Sequence, residues 1–126
     1  MTTTRLGTLS QVAVTFRNLP AAVAFYRDAI GLPLLFETGG MAFFAMGDVR
    51  LMMTTPEQPE HDHPASILYF KVEDIDTACA ELSARGVAFE GVPHVVGKMG
   101  TTEVWMVHFR DCERHLLAIT EERAGR

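Results

Sequence analysis

The chain has no block of lysine and arginine: its eleven basic residues are scattered among sixteen acidic ones, for a net charge of −5. That balance argues against nucleic acid or an anionic membrane surface as a partner. No apolar stretch approaches the roughly 18 residues that cross a bilayer, and the opening MTTTRLGTLS lacks the long apolar run of a secretory signal. Cysteine is almost absent. Cys79 stands in a helix-like segment and Cys112 in a turn, without C-x-x-C spacing, which points to reduced thiols in a cytoplasmic protein rather than a disulfide framework. No Ser-His-Asp order or paired-carboxylate pattern stands out, and GKMG (97–100) precedes no helix start that would make it a phosphate cradle.

Hydrophobic residues are plentiful, at 48% of 126, so the chain makes one globular domain or two small fused modules and buries roughly two thirds of its unfolded surface. QVAVTF (11–16) has the β-branched and aromatic content of a strand. A helix follows it, with Asn18 as cap, Pro20 early, Val23, Tyr26, Ala29 and Ile30 at helical spacing, and Gly31 at the stop. LPLLFE, MAFFAM and VRLMMT then read as strands separated by the turns TGG (38–40) and GD (47–48). This first module covers about 9–55. A linker with three prolines occupies 56–65. The second module, about 66–121, repeats the order: strand ILYFKV (67–72), helix 73–86 with Asp74 at its start and Gly86 at its end, then VAFEGVPHVV, TEVWMVHF and HLLAIT as strands.

The two halves are a tandem β-α-β-β-β repeat, offset by about 56 residues. Alternation sets Val12, Val14 and Phe16 on one face of the first strand, with Gln11, Ala13, Thr15 and Arg17 on the other. In the fifth strand, Leu68, Phe70 and Val72 face the helix, leaving Ile67, Tyr69 and Lys71. The expected fold is α+β, with eight strands curled into a cup, helices outside, and the mixed sets lining the cup.

AVAFYRDAIGL (22–32), VEDIDTACAELSARGV (72–87) and HFRDCERHLLAI (108–119), in that order, resemble the vicinal oxygen chelate superfamily. Glyoxalase I, the bleomycin- and fosfomycin-resistance proteins, extradiol dioxygenases and methylmalonyl-CoA epimerase belong to it. The likeness spans about residues 9–121 and implies the paired-module fold, while that fold hosts several chemistries. It also implies a homodimer, since members often complete their cups across an interface. Metal-dependent members chelate from four cup-facing positions, which match Gln11, Met52, Ile67 and Ala118 by strand register. Of these only Gln11 offers a donor suited to a borderline divalent cation, so the resemblance implies no metal here. The relatives' D-P-x-G-N hairpin becomes Asp111-Cys112-Glu113-Arg114-His115; with Arg114 in the glycine place, either the turn changes type or Arg114 is strained.

His108, three residues before Asp111, should face the cup with Met106 and Val104. Its imidazole is either an acid, base or hydrogen-bonding group for a ligand, or a sheet histidine satisfied by its neighbours. Tyr69 is either a ligand contact or a wall aromatic, and Gln11 and Thr15 are polar groups on the same lining. His61 and His63, spaced H-x-H in the linker, are two weak ligands or simply exposed histidines. GKMG is a lid or an ordinary connection. Seven methionines and eight phenylalanines leave an apolar, adaptable lining. The expected function is metal-independent binding of an apolar or aromatic small molecule in the cup, with Gln11, Thr15, Met52, Ile67, Tyr69, Met106, His108 and Ala118 as contacts. The other reading is a glyoxalase-like lyase, isomerase or dioxygenase that uses His108 and Tyr69 or a displaced metal.

Overall fold

The computed structural model describes residues 4–5, 8–55 and 66–124. The linker, with His61 and His63, lies outside them. The first module runs β1 (Gln11–Thr15), α1 (Leu19–Ala24), a wider π-helical turn (Phe25–Ile30), β2 (Leu34–Thr38), β3 (Met41–Met46) and β4 (Val49–Thr54). The second runs β5 (Leu68–Lys71), α2 (Ile75–Ala84), β6 (Phe89–Met99), β7 (Thr102–Arg110) and β8 (Leu116–Ala124).

The repeat is literal. Each module forms a four-stranded mixed sheet, ordered β1-β4-β3-β2 and β5-β8-β7-β6, so the eight strands stand as two sheets of four. In each, the first strand pairs parallel with the last, and the rest pair antiparallel. A parallel first pair needs a crossover, and the helix supplies it.

Capping starts both helices. The Asn18 side chain accepts from the Ala21 amide at 3.2 Å, and Asp74 accepts from Asp76 and Thr77 at 3.1 and 3.2 Å. The first helix departs from the regular α-helix that spacing suggests: its last six residues widen into a π turn, and Gly31 and Leu32 both donate back to the Tyr26 carbonyl. Gly31 then ends it at φ +88°, a left-handed conformation where a Cβ would stand 3.8 Å from the Arg85 guanidinium.

Each sheet presents one face to its helix. Val14, Phe16, Leu51, Met53, Ala42 and Phe44 from the first sheet join Val107, Phe109, Leu117 and Ile119 from the second in one hydrophobic cluster, with Tyr26, Ile75 and Leu82 from the helical segments. Burying each of the larger side chains contributes roughly 1.5–3 kcal/mol, so this shared core holds the two modules together.

Two readings are sharpened. GKMG, a lid or an ordinary connection by sequence, is a strand end and hairpin: Gly97–Met99 belong to β6, which turns into β7 at 100–101. β8 runs past HLLAIT to Ala124 and pairs with β7 along its whole length.

Candidate functional site

The candidate residues lie on the faces that no helix covers. In the first sheet, register places Ala13 and Phe43 beside Met52, with Gln11 and Thr15 on the same face of β1. The Gln11 amide Nε2 donates to Met52 Sδ at 3.5 Å, so the amide nitrogen is held by a thioether. In the second sheet, Ala118 stands between Tyr69 on β5 and His108 on β7. The two rings meet edge to face, with centroids 6.3 Å apart, and Ala118 is fully buried. Met106 follows on the same face, opposite Thr120. Tyr69 remains 55% exposed and Ile67, just ahead of β5, 41% exposed. Glu90 lies across from His108 and is held by Arg110, Nε to Oε2, at 2.9 Å.

The sequence-derived residues therefore fall into two groups. Tyr69, Met106, His108 and Ala118 come together on the second sheet, and Gln11, Thr15 and Met52 on the first. A cavity of about 470 Å³ opens between the edge strands β1 and β5; Tyr69 lines it, whereas Gln11 and His108 do not.

Sequence reasoning missed the aromatic pair Phe36–Phe43, stacked at 4.4 Å with planes 19° apart beside Met52. Phe36 pairs with Phe43 only because β2 carries an extra residue between Leu34 and Phe36, which a count of alternating positions does not reveal.

The residues at the four positions that the resemblance matches to metal ligands do not fit a divalent ion. Gln11 turns its amide nitrogen to sulfur, Met52 offers only a thioether, and Ile67 and Ala118 have no donor. Among the described residues, no group of three or more His, Cys, Asp or Glu is arranged to hold a metal.

The hairpin after β7 organises a second polar cluster. Asp111 is buried, with Oδ2 taking the Tyr26 hydroxyl at 2.7 Å and His115 Nδ1 at 2.8 Å. Its Oδ1 takes the amides of Glu113 and His115, both at 2.9 Å. Burial, and then the adjacent Asp111 carboxylate, push the Tyr26 pKa far up, so its hydroxyl stays protonated and donates. The His115 ring packs edge to face on Phe16 at 4.8 Å. Among the described residues no buried side-chain polar atom lacks a partner, and the Tyr26–Asp111 bond fastens the first module to the hairpin of the second.

A family model for the Glyoxalase/Bleomycin resistance protein/Dioxygenase superfamily matches residues 8–119. The chain belongs to that superfamily. It is 27% identical over 125 residues to an uncharacterized protein, YraH, of Bacillus subtilis (strain 168), covering 88% of this chain and 95% of that one. Among solved structures it resembles TnmS3, an antibiotic binding protein from Streptomyces sp. CB03234, with 21% identity, a TM-score of 0.74, and coverage of 94% of this chain and 98% of that one. A lactoylglutathione lyase from Agrobacterium tumefaciens matches at 21% identity and a TM-score of 0.70, covering 94% and 96%. At these identities the likeness establishes the superfamily fold that the three motifs suggested, in a chain whose described residues include no helix long and apolar enough to cross a membrane.

Proposed function

We propose that this superfamily member is a metal-independent small-molecule binding protein, taking an apolar or aromatic ligand on the helix-free faces, with Tyr69 and His108 as its polar contacts. One observation carries the reading. Ala118, which the resemblance matches by strand register to a ligand position of the chelating relatives, is fully buried between Tyr69 and His108. That arrangement trades a metal ligand for a phenol and an imidazole beside a small methyl, a surface suited to hydrogen-bonding and stacking on an organic molecule. The stacked Phe36–Phe43 pair beside Met52 gives the first sheet an apolar counterpart. The antibiotic-binding role of TnmS3 agrees with this use of the fold.

The reading includes a homodimer, because each half of the site stands open in one chain: Phe36 is 48% and Tyr69 55% exposed. It also includes a reducing, cytoplasmic setting, supported by the free thiols of Cys79 and Cys112.

Elemental analysis of the pure protein, a glyoxalase assay with and without Ni, Zn, Mn or Fe, and a calorimetric screen of aromatic compounds test it together. The expected result is no stoichiometric metal, no metal-dependent turnover, and binding that His108→Ala or Tyr69→Phe weakens by about 0.5–1.5 kcal/mol per lost hydrogen bond. A divalent ion at full occupancy near Gln11, or turnover that needs added metal, would replace this reading with the lyase, isomerase or dioxygenase one. Sedimentation equilibrium decides the dimer.

A further inference from the structure

β1 and β5 are edge strands, each bonded within its sheet to one neighbour, β4 and β8 respectively. The 470 Å³ cavity lies between them. Val12, Leu68 and Phe70 line it from the helix-facing side, with Leu32 and Met46 behind; all five are partly buried and packed against the core. Leu9 stands at the mouth, 63% exposed. Lys71 is the charged residue among the lining side chains, and it emerges on the helix-free side beside Tyr69. Its ammonium lies 3.6 Å from Glu122, with the Lys71 side chain 69% and the Glu122 side chain 39% exposed, so the pair is weak and open to exchange.

We propose that this slot is a second ligand site, adjoining the Tyr69–His108 face, for an aliphatic chain that ends in a carboxylate. The chain lies between Val12, Leu68 and Phe70, and the carboxylate takes the place of Glu122 on Lys71. Cavities of a few hundred Å³, walled by apolar side chains with a single well-placed polar group, are the common form of small-molecule sites. Among the described residues the walls carry no other charge and no amide side chain, which makes the body of the ligand apolar. Lys71 fixes the sign of its polar end. The slot shares Tyr69 with the site proposed above, while His108, Gln11 and Met52 do not line it, so the two sites can be tested separately.

Calorimetric titration of octanoate and of octan-1-ol into the wild type, Lys71→Met, Leu9→Asp and His108→Ala provides the test. Leu9 and Lys71 are exposed, so both variants should fold, and far-ultraviolet circular dichroism checks that they do. The wild type should bind octanoate more tightly than the alcohol. Lys71→Met should weaken octanoate roughly two- to fivefold and leave the alcohol unchanged, as loss of one exposed ion pair requires. Leu9→Asp should weaken both, and His108→Ala should change neither. Absence of octanoate binding to the wild type would overturn the proposal. So would binding that Lys71→Met and Leu9→Asp leave unmoved, or binding that His108→Ala abolishes.

Discussion

Arg114 shows how one residue can keep a turn that its relatives build with glycine. Among the described residues it is the non-glycine with positive φ, at 68°. The hairpin holds it there: its amide donates to the Asp111 carbonyl at 3.0 Å, and its own carbonyl accepts from Arg110 Nη1 at 3.1 Å. Both contacts use the Arg114 backbone and would survive loss of its side chain. Arg114→Gly should therefore stabilise the protein by about 0.5–1 kcal/mol, the left-handed strain removed less the extra freedom glycine has when unfolded. A urea melt should show a higher midpoint with an unchanged slope. The strain was legible in the sequence, because an arginine stood where the resemblance called for glycine. The task of the hairpin was not legible: Asp111 gathers Tyr26 from 85 positions earlier, and no local pattern announces such a contact.

At the scale of elements, caps and stops were readable because they are local chemistry. Asn18 and Asp74 begin the helices, and Gly31 ends the first, as their residue types require. The π turn and the extra residue in β2 were not readable, since both are set by what the chain packs against. The second cap makes a prediction about acid. The Thr77 amide, more than the Asp76 amide, holds the Asp74 pKa below the ordinary carboxylate range. Its folded value is depressed, so its stabilisation is present above the unfolded pKa, roughly pH 4, and is lost as pH falls through the folded one. Glu121 acts in the same direction: its pKa is lowered by the bond from Arg123 and then by the Ile75 amide. Asp74→Asn keeps an acceptor at the cap and should match the stability of wild type closely at pH 7. Below about pH 4 it should lose stability less steeply than wild type. Denaturation at a series of pH values, read as the difference between the two proteins, checks this; the Asp74 charge also raises the Glu121 carboxyl, so part of the difference is carried by Glu121.

For the whole molecule, the joint between modules matters most. Glu113 reaches across from the β7–β8 hairpin to accept the amides of Arg17 and Asn18, at 2.7–2.9 Å, at the entrance to α1. Arg85 of the second module donates to the Ala29 carbonyl at 2.9 Å. Tyr26→Phe removes one donor from a buried carboxylate and should cost about 1.5–3 kcal/mol. Glu113→Ala uncovers two amides and should cost about 1–2 kcal/mol. Because Asp111 also accepts the Glu113 amide, the two losses should not add, and a double-mutant cycle should return at least about 0.5 kcal/mol of coupling. Independent contributions would mean that the hairpin holds two separate contacts rather than one joint. Trp105 offers a way to watch that joint. It is the single tryptophan, on the helix-facing side of β7, away from His108, with the Arg123 guanidinium 4.2 Å from its ring centre. Intrinsic fluorescence is therefore an antenna planted in the second module, largely blind to a ligand on the opposite face. Circular dichroism sees both modules. Two melting curves from those two probes superimpose only if the shared core makes the halves unfold as one.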